Sequence, residues 1–205
     1  MVIDDSRVGR TRSRVDKFET RRVQLAAAAL QTLAELGYAR TSLREIAQHS
    51  EFSHGVLHYY FEDKDDLLAE SVRQFEAACV GRYDDIVATA GSAEGLRLDF
   101  GEAVAATLRA DAPVHRLWYD LRNQSMFVES FRADVLDIEQ RRLEMIWNVV
   151  HRHAELGGRE PTVSPEAAYA TLDGLFQRAL LRHMDGRPEA ADELRTAVRA
   201  ALAGM

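Results

Sequence analysis

Thr41-Ser42-Leu43-Arg44-Glu45-Ile46-Ala47, followed after a short gap by Ser53-His54-Gly55-Val56-Leu57-His58-Tyr59-Tyr60-Phe61, is the stretch on which the reading of this chain turns. Ser42 and Glu45 stand in the S-x-x-E spacing of a capping box, so a helix starts there and ends near Ser50. Ser53 is a second N-cap residue, opening a very short helix over 54–60 in which Leu57 and Phe61, at i and i+4, point inward. Neither helix is long enough to stand alone in water. Two short capped helices separated by a tight turn, the second carrying histidine and tyrosine outside its apolar positions, have the form of a helix-turn-helix. The second helix is then expected to enter a DNA major groove. His54, Val56, His58 and Tyr59 would offer hydrogen-bonding edges and apolar contact there, and Gly55 would let the backbone come close. A solvated surface helix is the competing reading of the same residues.

Outward from this core the pattern stays helical. Phe18, Arg22, Leu25, Ala29, Leu33 and Leu36 form one stripe, with Gly37 placed as a C′ residue, which predicts a first helix over about 15–36. Before it, Arg7, Arg10, Arg12 and Arg14 lie on a segment without apolar periodicity and read as a flexible basic arm over 1–14. Asp63 can cap a long helix from Lys64, carried by Leu67, Leu68, Val72, Phe75, Ala78 and Cys79 and frayed by Gly91-Ser92. Further helices are expected at about 93–110, 113–126, 128–156, 165–184 and 188–203, punctuated by Gly157-Gly158, Pro161, Pro165, Gly186 and Pro188. The fold class is all-α: a basic arm at 1–14, a helix-turn-helix domain at 15–63 and a larger helical domain at 64–205.

The chain has 205 residues, 46% of them hydrophobic, so it can bury a sizeable core. Its net charge of -7 looks wrong for a DNA binder until it is divided. Residues 1–64 hold 10 Lys and Arg against 9 Asp and Glu, so the acidity belongs to the remainder. With Cys79 as its one cysteine, the chain cannot form an internal disulfide, and no metal site or cofactor is expected. His151 and His153, at i and i+2, do not share a helix face. There is no apolar leader at the start and no apolar run long enough to span a membrane, which suggests a cytoplasmic protein. No G-x-S-x-G, glycine-rich phosphate loop or H-E-x-x-H occurs, and no enzymatic activity is expected, although a small helical enzyme remains the alternative from another class.

The quoted stretch, together with Lys64-Asp65-Asp66-Leu67-Leu68, resembles the tetracycline-repressor (TetR) family over about residues 20–70. Gly55, Leu57, Tyr60, Phe61, Lys64 and Leu67-Leu68 fall at the family's spacings without a gap. The resemblance implies a ligand-responsive repressor that binds a palindromic operator as a homodimer and is released by a small-molecule effector. Control by a protein partner is a second possibility. By position, it places DNA contacts on Thr41, Ser42 and Arg44 and on the recognition helix from its cap, Ser53, through His54, Gly55, Val56, His58, Tyr59 and Tyr60, with Lys64 on a phosphate. Arg44 would be the guanine reader. The chain departs from the family at the turn, where Glu51-Phe52 replaces the usual Gly-Val, and in having His58 where tyrosine is common.

For the larger domain the resemblance implies an effector pocket within about 93–156, where Phe100, Trp118, Tyr119, Arg122, Asn123, Met126, Phe127, Trp147 and His151 mix aromatic and polar character. Trp118, Met126 and Trp147 fit an ordinary core equally well. It also implies a four-helix dimer interface carrying Tyr169, Leu172, Phe176 and Leu180 from one helix and Leu194, Val198 and Leu202 from the next. The same stripes could instead cover the monomer's own core. Histidine is the side chain whose charge responds to pH in the physiological range, and two of them stand on the face expected to meet DNA. DNA affinity should therefore rise between about pH 8 and 6 at fixed salt, and a dissociation constant that stays flat across that range would count against the expectation.

Overall fold

A computed structural model describes residues 5–37 and 41–205, with side chains described from residue 17 onward except at 78. Among the described residues all regular structure is helical: α1 (Asp5–Leu36), α2 (Leu43–Gln48), α3 (His54–Tyr60), α4 (Lys64–Cys79), α5 (Asp84–Thr89), α6 (Ala93–Gln124), α7 (Arg132–Leu156), α8 (Pro165–Met184) and α9 (Ala190–Gly204). The chain forms two compact units that divide between Phe75 and Glu76, inside α4. The boundary expected at 63/64 is thus moved, because Leu67, Leu68 and Val72 of α4 are buried with the first unit.

In the first unit Leu25, Ala26, Ala29 and Leu33 of α1 are fully or almost fully buried together with Ile46, Leu57 and Phe61. The expected stripe is therefore the core stripe. Gly37 ends the helix in the left-handed region (φ 77°) and donates its N–H to the Leu33 carbonyl at 2.9 Å, a conformation in which a side chain would be strained. At its other end α1 begins at Asp5, so from residue 5 the segment expected as a flexible arm continues the helix, and residues 1–4 of that expectation lie outside the described residues. No proline interrupts it, and a lone glycine, Gly9, costs only about 1 kcal/mol relative to alanine.

Arg22 ties three elements together. Its guanidinium donates to the Tyr60 carbonyl at the end of α3 (3.0 Å), pairs bidentately with Asp66 of α4 and lies 4.8 Å from the centre of the Phe61 ring. Ser71 of α4, fully buried, donates to the Ala26 carbonyl at 2.9 Å. Burial alone would raise the Asp66 carboxyl; hydrogen bonds from Arg22 and from the Glu62 amide outweigh it and hold that carboxyl below its ordinary value.

The second unit is built from the end of α4 and from α5 to α9. The two helices expected at 93–110 and 113–126 are the two segments of α6, which meet at a kink where Asp111 leaves helical geometry (φ -119°, ψ 16°) two residues before Pro113. The proline lacks an N–H and crowds the preceding turn, which is the physical reason for the break. The expected single helix to Gly91 instead stops at Cys79 and restarts at Asp84. Between them Tyr83 is buried, its ring 5.0 Å from Phe100, and that anchoring turns the chain before local propensity can extend the helix. The next helix starts at Arg132, not near 128, after a turn over 125–131. Gly101 of α6 is required by α9: a Cβ there would stand 2.6 Å from Cγ of Arg199, whose guanidinium reaches the Leu98 carbonyl.

The depressed Asp66 carboxyl stabilises the fold above the ordinary carboxylate range, and that contribution is lost as pH falls through its lowered folded value. Asp66→Asn should cost about 2 kcal/mol near neutrality and almost nothing in strong acid. Thermal denaturation of both proteins at about pH 7 and about pH 3 should therefore show the gap in melting temperature closing.

Candidate nucleic-acid interface and ligand cavity

The local chemistry that builds α2 and α3 also decides what they present. Ser42 caps α2 by accepting the Glu45 N–H at 3.2 Å, and its hydroxyl donates to the Glu45 carboxylate at 2.9 Å. Ser53 caps α3 by accepting the Val56 N–H at 3.3 Å. Thr32 of α1 donates to the His49 carbonyl that ends α2. With Leu57 completely buried as its single inward anchor, α3 leaves His54, Gly55, Val56, His58 and Tyr59 exposed, Tyr59 to 70%. The imidazoles of His54 and His58 stack edge to face with centroids 4.4 Å apart. Gly55 has no internal reason to lack a side chain, since a Cβ there would meet nothing within 4 Å.

Ser42, Arg44 and Ser53 are exposed beside this face, and Lys64 is half-buried at the start of α4. Tyr60 is half-buried, its ring 4.8 Å from Phe18. Thr41 is a correction. It is only 5% exposed and its hydroxyl donates to the Gly37 carbonyl, so it fastens the end of α1 and presents nothing to a duplex. Sequence reasoning passed over Arg21, whose guanidinium lies 5.6 Å from the Phe52 ring in the turn between α2 and α3. The signal was the departure at the turn: an aromatic at position 52 gives a cation a face on which to rest.

The second unit holds a cavity of about 70 Å³. Glu76 and Cys79 of α4 and Arg82 and Tyr83 of the following turn form one wall; Phe100, Val104, Thr107, His115 and Tyr119 of α6 form another. Arg142, Met145 and Ile146 of α7 close it with Tyr169, Leu172, Asp173 and Phe176 of α8 and Val198 of α9. Glu76 and Arg142 are a buried ion pair, with Arg142 Nε 2.8 Å from Glu76 Oε2 and its guanidinium 4.6 Å from the Trp118 ring centre. Burial works against the Arg142 charge; attraction to Glu76 outweighs it and holds the guanidinium above its ordinary value. Tyr119 donates to Asp173 at 2.8 Å, Arg122 pairs with Asp173 at 2.6 Å and with Glu139 at 3.1 Å, and Tyr169 donates to Glu139 at 2.8 Å. Burial, and then the Arg142 and Arg82 charges, push the His115 imidazole well below its ordinary value, so it is neutral. Burial and the neighbouring Glu76 push the Cys79 thiol up to about 11, which makes it an inert lining atom.

Of the side chains expected in a pocket, Phe100 and Tyr119 line this cavity. The others do not. Trp118 is fully buried behind Arg142, and Arg122 is spent on holding Asp173 and Glu139. Asn123 and His151 are exposed, Trp147 is half-buried, and Met126 and Phe127 stand on the turn between α6 and α7 at 67% and 84% exposure. A 3.6-residue period spreads neighbouring residues around the helix, so aromatic content alone could not tell which of them face inward. The expected dimer stripe is corrected in the same way. Tyr169, Leu172, Leu180, Leu194, Val198 and Leu202 are all buried within the protomer, and Phe176 lines its cavity. The outward face of α8 instead carries Ala167, Ala170, Thr171, Gly174, Arg178 and Leu181.

Two short capped helices that hold out an exposed histidine-tyrosine face in one unit, and a cavity among helices in the other, define a helix-turn-helix regulator. Residues 25–71 match the family described as bacterial regulatory proteins, tetR family. The chain is 31% identical over 172 residues to the HTH-type transcriptional regulator BetI of Burkholderia thailandensis, a match covering 80% of this chain and 83% of that one, and 29% identical over 171 residues to BetI of Burkholderia ambifaria, covering 80% and 84%. Among solved structures it superposes on FadR of Bacillus subtilis in complex with stearoyl-CoA (TM-score 0.72, 16% identity, 89% of this chain and 98% of that one). It also superposes on a transcriptional regulator of Pseudomonas aeruginosa (TM-score 0.71, 20% identity, 91% and 90%). The chain belongs to the TetR family of transcriptional regulators, which bind DNA through the N-terminal helix-turn-helix. Among the described residues no helix is long and apolar enough to cross a membrane.

Removing one member of the Glu76–Arg142 pair strands the other in a dry environment. Arg142→Met should destabilise the protein by about 3–5 kcal/mol, whereas Glu76→Met with Arg142→Met should recover most of that loss. Equilibrium urea unfolding of the three proteins measures it.

Proposed function

We propose that this protein is a repressor that holds a palindromic operator as a homodimer and releases it when a small molecule occupies the cavity. The exposed face of α3 enters the major groove: Arg44 reads a base, Ser42, Ser53, Tyr60 and Lys64 contact the backbone, and His54, Gly55, Val56, His58 and Tyr59 meet the bases and the groove wall. Arg21, resting on Phe52, adds a phosphate contact that offsets the exposed Glu51 beside it in sequence.

The observation that carries the reading is the extent of α4. One unbroken helix begins at Lys64, directly after the recognition helix, and ends with Glu76 and Cys79 in the cavity wall. A ligand that fits the cavity better in one position of that helix than in another shifts the operator-binding equilibrium by its difference in affinity. A coupling of about 1–3 kcal/mol lowers operator affinity roughly 5- to 150-fold. The FadR neighbour was solved with stearoyl-CoA bound, which supports a ligand-binding use of this helical architecture. Dimerisation is assigned to the outward face of α8, where Leu181 is 67% and Met184 46% exposed and Ala167, Ala170 and Gly174 permit close helix approach.

The test is titration of the purified protein against fragments of its own upstream intergenic DNA at two salt concentrations. Arg44→Ala, Tyr60→Phe, Lys64→Ala combined should lose sequence-selective binding, and Leu181→Glu should both sediment as a monomer and bind the operator weakly. Selective binding that survives the triple variant would overturn the assignment of the reading face.

A further inference from the structure

The chemistry of the cavity wall constrains what can enter it. Four lining side chains carry charge, and each already has a counter-ion within the protein: Glu76 and Arg142 hold each other, Arg82 pairs with Asp111 at 2.6 Å, and Asp173 pairs with Arg122 at 2.6 Å. Two of these pairs carry further hydrogen bonds. Arg82 donates to Thr107 at 3.0 Å and to the Cys79 sulfur at 3.3 Å, and Tyr119 donates to Asp173. The sum of charge on the four lining residues is zero. An ionised ligand would have to leave its hydration shell and then either break one of these pairs or remain uncompensated, at several kcal/mol.

The remainder of the wall is apolar or aromatic, chiefly Phe100, Val104, Ile146, Leu172, Phe176 and Val198. What the wall has left for a ligand is weak and uncharged. The hydroxyl oxygens of Tyr119 and Tyr169 donate their protons to Asp173 and Glu139 and retain acceptor lone pairs. His115 stays neutral under the field of two arginines.

We propose that the effector is a small, uncharged, predominantly apolar molecule with one hydroxyl group, seated with its apolar body between Phe100 and Phe176 and its hydroxyl donating to the Tyr119 and Tyr169 oxygens. The space, about 70 Å³, limits the body to a compact one. The class is therefore that of phenols and compact alcohols, as opposed to carboxylates, phosphates or ammonium compounds. The inference rests on the cavity being the effector site, as proposed above, but its test reads occupancy of the cavity separately from release of DNA.

The experiment is calorimetric titration of the full-length protein, without DNA, with a shape-matched set: benzyl alcohol and phenol as uncharged probes with a donor, cyclohexanone as an uncharged probe without one, benzoate and benzylammonium as ionic ones. At least one uncharged probe should bind at least about tenfold more tightly than either ion, since one unpaired charge costs more than the 1.4 kcal/mol that a factor of ten represents. Its affinity should change less than about twofold when salt is raised from about 0.05 M to about 0.5 M, because a neutral ligand carries no charge to screen. Val104→Phe, which fills the space, should weaken that probe at least about tenfold. Should this variant unfold, Tyr119→Phe with Tyr169→Phe removes the acceptors and should weaken the hydroxyl-bearing probes alone. Tighter binding of benzoate or benzylammonium, or no binding by any uncharged probe, overturns the proposal. Uncharged binding that leaves the operator complex intact would uphold the ligand class and refute release by the effector.

Discussion

Arg22 is the group on which the DNA-facing half of this structure depends. A helix of seven residues has no stability of its own, and α3 buries a single leucine completely. What holds it in place is borrowed from outside. The Arg22 guanidinium takes the Tyr60 carbonyl at the end of α3, clasps Asp66 near the start of α4 and rests on the Phe61 ring between them. One cation on the long first helix thereby fixes where the short helix stops and where the next one begins. Because the attachment is at the C-terminal end and the inward side, the opposite face stays open, and His54, Val56, His58 and Tyr59 are left to solvent.

The cavity is organised on a related principle with the opposite consequence. In the second unit the charged groups do not reach outward; they neutralise each other. Glu76 with Arg142, Arg82 with Asp111, and Asp173 with Arg122 are three closed pairs around an apolar space. Buried pairs of this kind add little net stability compared with apolar packing, but removing one partner is expensive. They act as fixed struts: helices that supply partners to such a pair cannot drift apart without exposing a charge. The wall of the cavity is thus held in shape without offering a free charge from the four ionised residues that line it.

Several features could be read directly from the residues, because they arise within a few positions along the chain. The caps at Ser42 and Ser53, the glycine stop at Gly37 and the core stripe of α1 are local events, governed by hydrogen-bond geometry and a 3.6-residue period. The exposed face of α3 was legible for the same reason, and the match of residues 25–71 to the TetR family lies on this locally determined stretch. Thr41 came to the DNA-contact set by position from the family resemblance, while its hydroxyl turns back to the Gly37 carbonyl. One overlooked clue was present throughout. Glu76 interrupts the stripe Leu68, Val72, Cys79, and Arg142 interrupts Val135, Ile138, Ile146, Val149, so two opposite charges each sat on a face that should have been apolar.

By itself, then, the sequence determined the helical class, the helix-turn-helix and the identity of the residues it holds out, since these follow from short-range periodicity and capping. Only the tertiary structure decided which aromatic and polar side chains of the larger domain meet around the cavity. Partners such as Glu76 and Arg142, or Tyr119 and Asp173, stand 66 and 54 positions apart and are brought together by helix packing. It also decided that the Tyr169 to Leu180 stripe of α8 turns into its own protomer and not toward a second copy. A periodic stripe specifies that a face will be buried, but the identity of the surface that buries it depends on how every other helix in the domain packs.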